Sequence, residues 1–328
     1  MKKILLTTSA LTLLAGAAAA DVSVGGYARI GVSNNSALVD EDDASKGKIG
    51  TVTYLRNRLT FTGSATSDGG LTFSSWQRLR TSASGSKFSA SQAFSAPNLS
   101  VSNGAMSLKL GNISGAVSAN GGVWGCGTVM WGCADLIGGA HWASASSAGN
   151  GPNIVRVDMA LGGASVSISG GNDNNSEVAM TMPMGSGSVS VGYNAGAATA
   201  STAAVAAVTA IQATTDGATA AVAAIASAAS VAAADAKATV FMGYSGSMGD
   251  MSVGVRLVQH NSKTAYMANV GTAMGAGSVY IFAGKTLKAK NNYGVNYNQS
   301  LGGGAAVQAG ITSSGGNTLI GAGVSFGF

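Results

Sequence analysis

Arginines recur in this chain at a spacing that a β-strand would gather on one face. Arg56 and Arg58 stand in "RNR", Arg78 and Arg80 in "RLR", and Arg29 follows Tyr27 by two residues in "YAR". Lys109 lies between Leu108 and Leu110, while Arg156 and Asp158 alternate with Val155, Val157 and Met159. Successive side chains of a strand face opposite sides, so seven cations and one acid would share a polar face set against an apolar one. Two arginines at i and i+2 are about 7 Å apart, and at an effective dielectric of about 20 they repel by about 2 kcal/mol. Water whose counter-ions screen within about 8–10 Å makes such pairs tolerable; a dry core does not. The chemistry this pattern suits is the handling of ions and polar solutes. The wet surface of a soluble sheet would alternate in the same way, so the alternation alone leaves that reading open.

Catalysis finds little support. A Ser/His arrangement needs a base beside a nucleophile, and the only two histidines, His141 and His260, fall in separate expected loops. Cys126 and Cys133, the only cysteines, stand in "GCGTVMWGC". With no histidine pair nearby they fit a disulfide better than zinc, and the bridge would persist in an oxidising compartment. Closing so short a loop would be worth about 2–3 kcal/mol. Trp124, Trp131 and Trp142, three of the four tryptophans, share that stretch. Their faces could stack on sugar rings or anchor the segment to a wall. Asp40, Glu41, Asp42 and Asp43 form an acidic run whose oxygens suit Ca2+, directly or through cations that bridge lipopolysaccharide; a solvated loop would look the same. No other cofactor is expected.

The elements that must position these residues are strands. In "TVTYLRNRLTFTG", Leu55, Leu59 and Phe61 share one parity and Tyr54, Arg56, Arg58, Thr60 and Thr62 the other. This period of two predicts strands near 22–33, 51–63, 70–81, 97–103, 105–111, 153–161, 164–170, 177–184, 187–194, 238–245, 251–259, 263–270, 277–284, 291–299, 303–312 and 318–328, sixteen in all. Connections after odd-numbered strands tend to be long (34–50, 112–152, 195–237), whereas "NG" at 103–104 and "GG" at 162–163 are minimal hairpin turns. Long loops on one rim and short turns on the other are the asymmetry of an even-stranded outer-membrane barrel. Lipid offers no hydrogen bonds to unpaired backbone, so such a sheet must close.

Composition agrees. Only 9% of the 328 residues are charged, which is sparse for a soluble chain, yet beyond the N-terminus there is no apolar run of the roughly 20 residues a membrane helix needs. The first twenty residues, "MKKILLTTSALTLLAGAAAA", carry two lysines, an apolar run and small residues at the end. That is the layout of a secretory signal, with cleavage expected before Asp21 and 21–328 forming one domain. Losing Lys2 and Lys3 takes the formal charge from +5 to +3, too mild an excess to suggest nucleic acid. The Ala-rich stretch 195–237 has Val205, Val208 and Ile211, then Val222 and Ile225, at helical spacing, which predicts two short helices in an external loop.

The leader, "DVSVGGYARIGV", "RNRLTFTGSATSDGGLTFSSWQRLR", "LKLGNISGAV" and the terminal aromatic together resemble the alphaproteobacterial general porins of the Rhodobacter type. The resemblance implies an all-β, sixteen-stranded antiparallel transmembrane barrel for passive diffusion, trimeric, in outer-membrane lipid and lipopolysaccharide. It implies that Phe328 is read by the barrel-insertion machinery. It also implies that the third long loop, 112–152, folds inward and narrows the pore with acids facing the wall arginines. Here the chain departs from the family, because Asp135 is the only acid between Asn112 and Pro152. The expected constriction is therefore net positive, with a preference for anions.

Overall fold

The computed structural model describes residues 21–35, 51–84, 87–89, 94–120, 124–125, 134–135, 151–171, 176–195, 238–260, 262–287 and 291–328. In chain order the strands begin with β1 (Asp21–Asn35), β2 (Thr51–Thr66), β3 (Thr72–Ser84), β4 (Lys87–Ser89), β5 (Asn98–Ser102) and β6 (Met106–Gly111). A one-turn helix, α1 (Ala116–Ala119), precedes a two-stranded ribbon of β7 (Trp124–Gly125) and β8 (Ala134–Asp135). The wall resumes with β9 (Ile154–Leu161), β10 (Ala164–Gly171), β11 (Ser176–Met184), β12 (Gly187–Asn194), β13 (Thr239–Met248) and β14 (Met251–His260). It ends with β15 (Lys263–Met274), β16 (Gly277–Lys285), β17 (Asn291–Gly302), β18 (Ala305–Ser314) and β19 (Asn317–Gly327).

Each wall strand is antiparallel to its sequence neighbour, and β19 returns to pair with β1 from Tyr27↔Gly327 to Asn35↔Leu319. The sheet is therefore a closed barrel. Since β4 and β5 both pair with β3, they form one interrupted stave, and the described residues give the sixteen staves that the alternation predicts. The wall departs from the simple repeat at this interruption and again between β17 and β18, where the register shifts between Ser300 and Gly302. Between the two pieces, Leu79 bridges Phe94 and Ser95 donates its N–H to the Arg78 carbonyl.

Tight turns gather on one rim. Gly162 and Gly163 close β9 to β10 at φ 56° and 89°, a backbone that glycine adopts without strain. The long connections leave from the opposite rim, with exceptions: β14 to β15 and β18 to β19 also turn within two residues there. His260, expected in a loop, instead ends β14, where its Nδ1 lies 2.7 Å from Thr239 Oγ1. Among the described residues no helix is long and apolar enough to cross a membrane, and the crossing falls to the strands.

Parity sorts the two faces. Val22, Val24, Ile30, Val32, Phe73, Leu99, Val255, Leu257, Ile281 and Ile320 are all exposed on the outer face, as lipid requires. The inner face has a dry part as well as a wet one. Ala179, Phe241, Val258, Ala265, Met267 and Phe282 form a buried patch running from β11 to β16, and Ala116 and Val117 of α1 belong to it. A segment folded into the barrel must bury its own apolar side chains, and this patch is the seat that lets it do so.

Candidate functional site

Strand register brings the arginines of β1, β2 and β3 into one inner-wall lattice. Tyr27 pairs with Arg58 and Arg58 with Arg80, while Arg29 pairs with Arg56 and Thr60 with Arg78. Aromatic rings of the same parity hold the guanidiniums in place. Arg29 and Arg58 both stack on Tyr27, with Cζ 4.9 and 4.4 Å from the ring centroid. Arg56 stacks on Tyr54 at 5.4 Å and Arg78 on Trp76 at 4.2 Å. Directly opposed residues are about 5 Å apart, so each cross-strand arginine pair repels by about 3 kcal/mol at an effective dielectric of 20. One stacked ring returns about 0.5–1 kcal/mol. For Arg29 and Arg56, water and mobile anions are suited to supply the remainder, which fits a wet lumen.

Further round the wall the charge is paired. Asp158 on β9 accepts from Lys109 on β6 at 2.9 Å and from Arg156 Nε at 2.8 Å, and Ser167 on β10 donates to it at 2.7 Å. Arg156 also donates to the Ser114 carbonyl, which ties the start of the 112–152 segment to the wall.

α1 is held on the same side. Ser169 Oγ accepts from the Ala116 N–H at 2.8 Å, Glu177 Oε2 accepts from the Val117 N–H at 3.1 Å, and Thr181 donates to Asn120 at 2.9 Å. Glu177 is itself gripped by Asn194 at 3.0 Å. Glycine makes the close approach possible: a Cβ at Gly192 would lie 3.0 Å from Val117 Cγ2, and one at Gly115 would collide with the Glu177 carboxylate. Below α1 opens a cavity of about 580 Å3, lined by Lys109, Asn120, Arg156, Asp158, Ser190 and Arg256 among others.

A closed barrel with a greasy outside, a charged inside and a segment folded into it is the form of a diffusion pore. Residues 7–319 match the family model described as Gram-negative porin. The chain belongs to that family. It is thus an outer-membrane β-barrel channel through which small solutes diffuse passively, of a family and fold whose members are non-enzymatic channels. Solved structures of Rhodopseudomonas blastica porin carry the same fold at low identity. A triple mutant matches at 16% identity and a TM-score of 0.66, covering 94% of this chain and 100% of that one. A variant with five substitutions matches at 15% and 0.67, and a double mutant at 17% and 0.65, each with the same coverage. None of the curated proteins matches the chain.

In this porin Arg29, Arg56, Arg58, Arg78, Arg80, Lys109, Arg156 and Asp158 share one parity, opposite to that of exposed aliphatics and aromatics such as Ile30, Phe73 and Leu110. Arg256 joins them unannounced. It faces inward on β14 beside Asn269, and its alternation with Val255 and Leu257 is a signal that would have found it. Glu177, the grip on α1, opens β11 inward with a similar parity signal. The side chains of Trp124 and Asp135 lie outside the described residues, although their backbones pair in the ribbon. Residues 1–20, the acidic run Asp40, Glu41, Asp42 and Asp43, the residues Cys126, Trp131, Cys133 and Trp142, and the Ala-rich stretch beyond residue 195 also lie outside them.

Proposed function

We propose that this porin's water path is lined by Arg29, Arg56, Arg58, Arg78, Arg80, Lys109, Arg156, Asp158 and Arg256, and that it favours anions. The observation that carries the reading is the stacked arginine lattice. The ion pairs among the described residues spend Asp158 on Lys109 and Arg156, and no described carboxylate pairs with Arg29, Arg56 or Arg58. Fixed positive charge at a wet constriction raises local anion concentration. Asp135 is the one acid that the 112–152 segment can bring against it.

The test is the reversal potential of the purified channel in a KCl gradient across a planar bilayer. The expected potential lies on the chloride side, and a clear cation preference overturns the assignment. Passage by diffusion needs no catalytic group and no cofactor; Ca2+ at Asp40–Asp43 would be an external trim. A sugar preference through Trp124, Trp131 and Trp142 is the second reading, and liposome swelling with sugars and amino acids of matched size separates the two.

A Cys126–Cys133 bridge is supported by the short spacing of the chain's two cysteines and by a compartment in which disulfides persist. The remaining assignments follow the family. The leader 1–20 is cleaved, three copies assemble in lipid and lipopolysaccharide, and Phe328 is offered to the insertion machinery.

A further inference from the structure

We propose that the lattice centred on Tyr27 is a binding subsite for tetrahedral divalent oxyanions, sulfate or phosphate free or carried on a small solute, and more than a diffuse positive field. The inference rests on the anion-favouring reading and goes one step past it, from attraction of any anion to recognition of a geometry.

Three features carry it. First, Tyr27 is stacked by two guanidiniums, Arg29 and Arg58, and Arg56 stands directly across from Arg29. Three forks are thus organised around one ring. Second, the Nε atoms of Arg29, Arg56 and Arg58 are covered while the residues keep partial exposure, and Arg56 also hydrogen-bonds the Tyr27 hydroxyl, so the donors left to face the lumen are the remaining terminal amino groups. Third, the register sets Arg58 directly opposite Tyr27 and Arg56 directly opposite Arg29, so the forks leave adjacent strands from paired positions about 5 Å apart. A planar fork with fixed direction matches an oxyanion edge in a bidentate way that a spherical halide cannot use. A doubly charged oxyanion also relieves more than one arginine repulsion at once, whereas chloride relieves one at a time.

The experiment is single-channel recording in KCl with sulfate, inorganic phosphate or glycerol phosphate added at constant ionic strength. The expected result is a concentration-dependent fall in chloride current with sulfate and phosphate, saturating in the millimolar range, and absent with equivalent added nitrate. If glycerol phosphate blocks at lower concentration than phosphate, the subsite serves phosphorylated solutes; if it blocks more weakly, it serves the free ion. Tyr27→Leu removes the stacked ring without removing a charge and is expected to weaken the block about tenfold; Tyr27→Phe, which keeps the ring and loses only the hydroxyl that Arg56 hydrogen-bonds, restores most of it. Arg58→Lys keeps the charge but loses the fork and is expected to weaken the block similarly. Open-channel current in KCl reports that each variant has folded and inserted. A chloride-preferring channel in which sulfate behaves like nitrate overturns the subsite and leaves the anion-favouring reading intact. A cation-preferring wild type overturns that reading first. Undiminished block in Tyr27→Leu also overturns the subsite as drawn.

Discussion

At the scale of single residues, the inner wall separates charges that are spent from charges that are open. Asp158 takes Lys109, Arg156 and Ser167 at once, with only 24% of its side chain exposed, so it offers little negative potential to a passing ion. Replacing it by Asn should release both cations to the lumen and move the KCl reversal potential further toward chloride. Leaving the buried Arg156 and the partly exposed Lys109 without their carboxylate should also cost about 2 kcal/mol of stability, read as a lower denaturation midpoint in detergent. An unmoved potential would mean that Lys109 and Arg156 stay compensated by another group. The common parity of the seven cations was readable because aliphatics such as Ile30, Leu55, Leu59, Leu79, Leu108 and Val157 take the opposite parity, and lipid disfavours a charge on that face. The pairing of Lys109 with Asp158 was not, since it depends on which strand lies beside β6. β9 is separated from β6 by the whole 112–152 segment.

At the scale of elements, the staves were readable from the alternation and an inward 112–152 segment from the resemblance alone, while α1 and its seat were not. Period two announces a strand wherever one face is greasy, but between β11 and β16 the inner face is also partly apolar, at Phe241, Val258, Met267 and Phe282. Alternation alone gives no reason for those side chains to point inward. The reason is α1, whose Val117 needs a dry seat and whose four residues carry too short a pattern to predict. Glu177 is the grip on that seat, accepting from Val117, Ser169 and Asn194. Glu177→Ala removes three acceptor contacts, of which one, from the Val117 N–H, joins it to α1, and should loosen α1 by about 1 kcal/mol, the net worth of one hydrogen bond. Freed from the wall, the segment would wander across the path. Open-channel current noise should therefore rise severalfold while the staves, held by their own ladders, keep the channel inserted. Unchanged noise would show that the Arg156 tie to Ser114 and the apolar seat suffice without it.

At the scale of the whole molecule, everything depends on closure, because a barrel lacking one seam exposes two unpaired strand edges to lipid. Closure was legible from the even strand count and the loop asymmetry; the fit of the seam was not, because it depends on a contact between residues three hundred positions apart. Beyond β19, Phe328 continues the seam by exchanging both backbone hydrogen bonds with Gly26, at 2.7 and 3.1 Å. The same glycine lets the Phe328 ring settle: a Cβ there would lie 2.5 Å from the Arg58 carbonyl oxygen and 2.9 Å from Phe328 Cε2. Neither neighbour can retreat cheaply, since Arg58 belongs to the β1–β2 ladder and the ring packs 6.1 Å from Phe326. At Gly25, by contrast, a Cβ would meet nothing nearer than 3.7 Å. Gly26→Val should thus strain both the seam and the β1–β2 ladder by about 1–3 kcal/mol, the usual cost of overpacking. For a chain of this size that lowers the thermal midpoint by several degrees, whereas Gly25→Ala leaves it nearly unmoved. The shift of the folded band on unboiled electrophoresis reads both variants side by side. Equal midpoints would mean that the seam tolerates a side chain at Gly26 and that closure is set by the ladder hydrogen bonds alone.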